Sequence, residues 1–529
     1  MERQKQGRVR RRGARLPAVL AALLAAGLAV GGCGASGERT SSDGARKSGG
    51  RAAPDAGTVA PREGEQRSPT PAPDYLSTFA LDVDTASYGY ARRTLAEGRL
   101  PDPTTVRPEE FVNSFRPDYP RPKDNGFSVT LDGARTGTDG WSLLRVGLAT
   151  RGADRKAERP PAALTFVVDV SGSMDEPGRL DLVKESLGLL ADQLRDDDSI
   201  ALVTFSDEAE TKLPMTRVGD ARGRIRETVE ELATSSSTNV EAGVRTGYDV
   251  AVAGHRKGAT NRVVLLSDAL ANTGDTEAES ILARIDEERR EYGITLFGVG
   301  VGSEYGDDFM ERLADKGDGQ TTYVSNSAQA RKVFVDQLPA HVELRARDAK
   351  AQVAFERGNV EKFRLIGYEN RAVADEDFRN DRVDGGEIGA GHTVTALYAV
   401  KTRPGASGPM ATATVRWLDP VTRAPHERSD TVMAGAPALA ADIWAEGHDS
   451  LQLTAIAAYF ADALRGGDLP GFPGLPALTN RAGAIADRSG SAVVRELADA
   501  IRQASGLLGP REGENPSQEG ELRSGDPYS

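Results

Sequence analysis

Residues 164–173 read Leu-Thr-Phe-Val-Val-Asp-Val-Ser-Gly-Ser, and this stretch decides the fold. Its first half, residues 164–168, is an uncharged run rich in β-branched and aromatic residues. Such a run is typical of a strand buried on both faces, as in the middle of a parallel sheet. Asp169 follows directly where the predicted strand ends, and Gly172 permits a tight turn between two serines. A buried strand that ends in oxygen-bearing side chains indicates a ligand site at the carboxyl edge of a sheet.

Short apolar strands and longer amphipathic helices alternate from residue 160 to residue 338. The predicted strands are 164–168, 200–205, the short neighbour 209–215, 262–267, 294–301 and 321–324. The predicted helices are 180–194, 222–232, 241–253, 277–292, 307–314 and 328–338. This alternation predicts an α/β domain over 160–338 with a doubly wound, mostly parallel sheet.

The flanking segments change to the period of two that is typical of antiparallel strands. Segment 74–159 contains the runs 127–131 and 141–149, and segment 339–435 contains similar runs between residues 351 and 417. We expect both segments to form one β-sandwich into which the α/β domain is inserted. A small helical unit is predicted over 436–508, with helices at 449–464 and 491–504, and residues 509–529 are predicted to be a disordered tail.

The N-terminus has the pattern of an export signal. Basic residues precede an apolar run from Leu16 to Val30, which is too short to span a membrane comfortably. The chain's single cysteine, Cys33, follows in a context that resembles a bacterial lipobox. We expect residues 1–32 to be a lipoprotein signal peptide, Cys33 to be lipidated, and residues 33–73 to form a disordered tether at the extracytoplasmic face of the cell membrane. The alternative is a chance cysteine beside an ordinary cleavage site.

The charge of the chain argues against nucleic acid and anionic lipid as partners. The formal net charge is −13 at pH 7, so the surface repels nucleic acid and anionic lipid. Such a surface suits cation binding and solubility.

Oxygen-bearing residues in three predicted loops could hold one divalent cation. Mg²⁺ prefers oxygen ligands in an octahedron, and Mn²⁺ or Ca²⁺ would use similar donors. Asp169 and Asp268 supply carboxylates, while Ser171, Ser173 and Thr238 supply hydroxyls. With few charged ligands, the metal would keep a position open for an external Asp or Glu carboxylate. The alternative is a turn in which Asp169 and Ser171 only cap the next helix.

This pattern resembles the metal-ion-dependent adhesion site (MIDAS) of von Willebrand factor type A domains. The resemblance implies direct metal binding by Ser171, Ser173 and Thr238, with Asp169 and Asp268 acting directly or through water. Ala269 stands where that family usually has glycine, a residue that lets the backbone stay close to the site beside Asp268. Segments such as 77–88, 107–113, 364–371 and 386–398 resemble the flanks of a bacterial lipoprotein family built around a type A domain. That likeness extends over about residues 74–507.

The predicted function is metal-dependent binding of an acidic group on a partner protein, so we expect an adhesion or binding module. An enzyme is not expected, because no nucleophile–base pair appears. The alternative function is an envelope assembly or quality-control adaptor, in which the type A domain is a docking scaffold. The sequence leaves the ligand and the oligomeric state open.

Other acidic and histidine residues have simpler explanations than a second site. Asp84 or Thr85 is predicted to cap a helix, and residues 196–198, all Asp, are predicted to form a solvated turn rather than a calcium site. Glu387 and His392 are predicted to be a turn residue and a structural histidine rather than an acid–base pair.

Overall fold

The structure is a computed structural model. It describes residues 75–81, 84–137, 140–152, 159–268, 275–301, 310, 313, 320–324, 326–331, 333–334, 343–383, 385–436, 439 and 441–509. The predicted signal peptide, Cys33, the tether and most of the predicted tail lie outside these residues, as do most of the predicted helix 307–314 and residues 332 and 335–338 of the predicted helix 328–338.

Strands and helices are numbered in chain order. The strands are β1 (Leu76–Ala80), β2 (Phe127–Arg135), β3 (Trp141–Thr150), β4 (Ala162–Asp169), β5 (Ser199–Phe205), β6 (Ala209–Arg217), β7 (Thr260–Ser267), β8 (Thr295–Val301), β9 (Gln320–Val324), β10 (Leu344–Phe355), β11 (Val360–Leu365), β12 (Gly386–Gly389), β13 (Thr393–Thr402), β14 (Gly408–Leu418) and β15 (Pro425–Ala434). The helices are α1 (Ala86–Ala96), α2 (Pro108–Asn113), α3 (Leu180–Gln193), α4 (Val218–Glu230), α5 (Val240–Ala253), α6 (Asp275–Tyr292), α7 (Ser327–Arg331), α8 (Asp449–Leu464), α9 (Leu475–Ser489) and α10 (Ala492–Leu508). None of these described helices has the length and apolar character needed to cross a membrane.

The middle of the chain forms the predicted doubly wound sheet. Its strand order is β6-β5-β4-β7-β8-β9, in which β6 pairs antiparallel with β5 and the other neighbours are parallel. Every residue of the central strands β4 and β7 is buried, as the apolar runs within them predict, and the charged residues Asp169 and Arg262 lie near their ends. Helices α3, α4 and α7 contribute to the core on one face of the sheet, and α5 and α6 to the core on the other. The fold class expected from sequence is confirmed.

Strands from both sides of this domain combine into the predicted sandwich. One antiparallel sheet has the order β1-β10-β14-β15, with β12 also paired to β10, and the other has the order β11-β13-β3-β2. Each sheet therefore joins a strand from before residue 160 to strands from after residue 342. The two sheets share one core, in which Phe79 of β1 contacts Tyr368 with ring centroids 4.6 Å apart. The insertion of the α/β domain into a sandwich is thus confirmed.

The helical unit is larger than the sequence indicated. Helix α8 has the predicted bounds, and α9 is an additional helix that begins at the end of the Gly/Pro-rich residues 466–476. Pro476 lies in the first turn of α9, where its missing N–H is not needed, so it starts this helix rather than preventing it. Helices α1 and α2 share the core of this unit, and Phe111 of α2 lies edge-on to Phe460 of α8, with ring centroids 5.7 Å apart.

Buried polar contacts connect the inserted domain to the rest of the chain. Arg262 at the start of β7 donates to Glu387 of β12 at 2.6 Å, and both side chains are almost fully buried. Asp84 accepts a hydrogen bond from the backbone N–H of Thr321 in β9, at 3.0 Å. Thr85 holds the predicted N-cap position of α1 but makes no capping side-chain hydrogen bond, and Asp84 binds β9 instead.

We predict that Glu387→Gln destabilises the protein, because it leaves the buried guanidinium of Arg262 without its nearest charge partner. The expected loss is about 3 to 5 kcal/mol in the free energy of unfolding, measured by urea denaturation. The matched control is Glu210→Gln, which breaks an exposed pair with Lys212 and should cost under about 1 kcal/mol. Equal losses in the two variants would show that the buried pair has no special role.

Candidate metal centre

Three loops meet at the carboxyl edge of the parallel sheet. The backbone N–H of Val170, directly after β4, donates to the carbonyl of Phe205 at the end of β5, at 2.9 Å. Ser235, in the loop before α5, donates its N–H to the carbonyl of Val170 at 2.6 Å. Asp268 follows the end of β7, which pairs with β4. The topology therefore brings the three predicted ligand loops to one place.

Asp169 is the buried centre of this edge. Its side chain has no solvent exposure, and one carboxylate oxygen accepts from the backbone N–H of Ser171 at 2.8 Å. The other oxygen accepts from the hydroxyl of Ser267 at 2.6 Å. Burial raises the pKa of Asp169 above its ordinary value, and the nearby charge of Asp268 adds to this, although the hydrogen bonds from Ser267 and Ser171 oppose it. A positive charge at this edge would relieve the cost of keeping Asp169 ionised.

A chain of oxygen atoms connects the first loop to Asp268. The hydroxyls of Ser171 and Ser173 lie 3.1 Å apart, and that of Ser173 donates to Oδ1 of Asp268 at 2.9 Å. Ser171 and Asp268 are buried, whereas Ser173 is exposed, so the chain of oxygens opens to solvent at its middle member. The structure therefore brings together Asp169, Ser171, Ser173 and Asp268.

Thr238 lies in a loop close to these residues but does not belong to this chain of oxygen atoms. It is exposed and directly precedes Asn239, whose side chain caps α5 by accepting from the N–H of Ala242 at 3.0 Å. Within the described residues the Thr238 hydroxyl makes no hydrogen bond to the other four predicted ligands. Its loop nevertheless lies against the first turn, because a Cβ on Gly172 would be 3.5 Å from the carbonyl oxygen of Ser235.

The sequence interpretation missed Arg179, which lies within this site. Its guanidinium donates to Oδ2 of Asp268 and, at 2.9 Å, to the carbonyl oxygen of Ser173. It also binds the carboxylate of Glu176 at 2.6 Å. The Arg179 side chain is only 6 % exposed, so the site contains a buried cation as well as two carboxylates. No spacing rule identifies it, because its contact with Asp268 spans 89 residues of sequence.

The oxygen donors suit a small divalent cation. Ligands about 2.1 Å from an octahedral metal lie about 3.0 Å from one another, which matches the spacings along Ser171, Ser173 and Asp268. Among the described residues, no three His, Cys, Asp or Glu side chains group together as a metal site. A cation here would therefore rely on hydroxyls as much as on carboxylates. The segment after Asp268, including Ala269, lies outside the described residues, so the effect of the missing glycine stays a prediction.

The other acidic and histidine candidates have structural roles. Asp198 is fully buried and accepts from both arms of the Arg159 guanidinium, at 2.9 and 2.6 Å, so the predicted solvated turn is wrong for this residue. His392 is buried, and its Nδ1 accepts from the N–H of Gly389 at 3.2 Å. Burial, together with nearby arginines, lowers the pKa of His392 to about 3, as suits a neutral structural histidine. Glu387 serves the buried pair with Arg262.

Three family models match the chain. One described as "von Willebrand factor type A domain" matches residues 163–337. One described as "Uncharacterized protein YfbK, C-terminal" matches residues 342–506, and one described as "von Willebrand factor" matches residues 62–141. The matches cover the inserted domain and parts of both flanks.

Individual proteins and a solved structure are also similar to this chain. "Uncharacterized protein YfbK" of Escherichia coli is 38 % identical over 334 residues, which are 61 % of this chain and 57 % of YfbK. "Uncharacterized protein sll0103" of Synechocystis sp. is 28 % identical over 192 residues, which are 36 % of this chain and 44 % of that protein. The solved structure "von Willebrand factor type A from Catenulispora acidiphila" is 17 % identical with a TM-score of 0.45, covering 69 % of this chain and 87 % of its own. The chain thus spans about half the length of these two bacterial relatives.

We predict that Asp169→Asn does not destabilise the metal-free protein at neutral pH. The raised pKa of Asp169 means that its ionised form is costly in the folded state, and the amide removes this charge while keeping the shape. The variant should melt at or above the wild-type temperature in EDTA at pH 8. Its advantage should shrink as the pH falls, because protonation then neutralises the wild-type carboxyl. A variant that melts far below wild type at pH 8 would contradict the costly-charge account.

Proposed function

Because this chain is a member of the bacterial von Willebrand factor type A family, we propose that it is a protein-binding module whose contact site is a divalent metal ion, Mg²⁺ in the first instance, with Mn²⁺ or Ca²⁺ as related candidates. The metal would be held by Asp169, Ser171, Ser173, Thr238 and Asp268. The observation that carries the proposal is the continuous set of oxygen atoms at the sheet edge, with spacings near those of an octahedral shell.

The donors explain why such a metal would attract an acidic partner. The two carboxylates carry two negative charges, which can do no more than neutralise a divalent ion, and the hydroxyls add no charge. Because Ser173 is exposed, an incoming Asp or Glu carboxylate of a partner protein can reach this side of the site. The partner would then complete the oxygen shell, and its carboxylate would be the dominant charged contact.

The same edge is poorly equipped for catalysis. A hydrolase would need an accessible nucleophile beside a free base, whereas the Ser267 hydroxyl that contacts Asp169 is buried, and the carboxylate beside the exposed Ser173 hydroxyl, that of Asp268, is paired with Arg179. We therefore propose a binding role without an enzymatic step, in line with a type A domain as an interaction module.

We propose further that the protein is anchored by lipid on Cys33 at the extracytoplasmic face of the cell membrane. The support is sequence alone: a basic segment, the apolar run 16–30 and a single cysteine directly after it. A polar tether over 33–73 would let the type A domain reach partners away from the membrane.

Asp169→Ala is expected to abolish Mg²⁺ binding while leaving the fold nearly intact. Isothermal titration of Mg²⁺ into the purified full chain measures this, and cross-linking on intact cells, with and without EDTA, captures the partner. The matched control is Asp220→Ala, an exposed aspartate in the first turn of α4, which should keep wild-type Mg²⁺ affinity. Unchanged Mg²⁺ affinity in Asp169→Ala would rule out the proposed site.

A second function is favoured by one observation. Arg179 already balances Asp268, so this edge can form without metal and could dock partners as a scaffold. An envelope assembly or quality-control adaptor of this kind would keep its cross-linked partners in EDTA, whereas the metal-dependent module would lose them.

Cys33→Ser should move the protein from the membrane fraction to the soluble fraction, because a lipidated residue would be lost. Fractionation after Triton X-114 phase separation measures the shift. Ser41→Ala, in the same polar segment, is the control and should stay with the membrane. If the serine variant partitions like the wild type, Cys33 is not the membrane anchor.

A further inference from the structure

Arg179 occupies a position where a cation is not favoured by local structure. It lies at the N-terminus of α3, where the helix dipole favours negative charge. Its side chain is nevertheless buried, and its position is fixed by three acceptors: Asp268, the carbonyl of Ser173 and Glu176. Glu176 is largely exposed, so Asp268 is the buried charge that Arg179 faces.

The two oxygens of Asp268 have different partners. Oδ1 accepts from Ser173 and lies on the side of the predicted ligand hydroxyls, while Oδ2 binds Arg179. A metal bound through Oδ1 would therefore lie on the opposite side of one carboxylate from a fixed guanidinium. Two cations that share one buried carboxylate repel each other, and burial weakens the solvent screening between them.

We propose that Arg179 is a resident counter-cation of this site, which lowers its affinity for divalent metal and gives the metal-loaded site a net positive charge. This inference rests on the proposed function. Among the buried charges of the site, Asp169, Asp268 and Arg179 sum to one negative charge, so a divalent metal changes this buried sum to one positive, while the charge of Glu176 is largely exposed to solvent. Without Arg179 the loaded site would be neutral. The arginine thus makes attraction of an external carboxylate depend on the metal being bound.

The test compares neutral and charge-keeping variants of the full chain. Arg179→Met removes the charge and keeps much of the side-chain volume, and Arg179→Gln removes the charge but keeps hydrogen-bond donors. Arg179→Lys keeps the charge. Mn²⁺ is the probe, because the EPR signal of free Mn²⁺ reports binding directly, and thermal melts in EDTA report the metal-free fold. Arg226→Met, at an exposed pair with Asp192, controls for the change in overall charge.

We expect both neutral variants to bind Mn²⁺ at least tenfold more tightly than wild type, and to melt at a lower temperature in EDTA because Asp268 loses its partner. Arg179→Lys and Arg226→Met should bind within threefold of wild type. If the wild type binds Mn²⁺ and the neutral variants bind equally or more weakly, Arg179 only orients Asp268 and this inference is overturned while the proposed function stands. If the wild type binds no Mn²⁺ but a neutral variant does, this inference stands and the proposed function fails. Binding by neither overturns both.

Discussion

The carboxyl edge of the parallel sheet is organised around one buried negative charge, that of Asp169 at the end of β4. Because this side chain has no contact with solvent, its oxygens must be satisfied by neighbouring groups, and Ser171 does so from the loop after β4 and Ser267 from the end of β7. The same contacts fix the first turn and the end of β7 relative to each other. The serine hydroxyls and Asp268 are positioned as a consequence, so the candidate metal centre follows from how Asp169 is held.

Strand β7 connects this edge to the rest of the chain through charges near its two ends. Arg262, near the start of β7, is paired with Glu387 of the sandwich, and Asp268, directly after its end, is paired with Arg179. Both pairs are buried, and removing one partner of a buried pair is costly. The inserted domain is therefore held to the sandwich at one end of its central sheet, while the other end remains available to a ligand.

Sequence patterns predicted the parts of the fold that depend on local periodicity. The buried strand around residues 164–168, the insertion between period-two flanks and the bounds of α8 all follow from the spacing of apolar residues. Helix α9 was missed because Pro476 resembles a breaker when its position in the first turn is unknown. Arg179 and the burial of Asp198 were missed because each depends on partners distant in sequence. Charge pairing of this kind is set by tertiary structure, which a single sequence does not encode in any local pattern.

The central claim is that the oxygens of Asp169, Ser171, Ser173, Thr238 and Asp268 hold a divalent metal. Crystals of the full chain grown with Mn²⁺ and measured near the manganese absorption edge test this most directly. The account predicts an anomalous difference peak about 2.1 to 2.3 Å from the hydroxyl oxygens of Ser171 and Ser173. The absence of such a peak in crystals with saturating Mn²⁺, or its appearance only elsewhere on the molecule, would contradict the account.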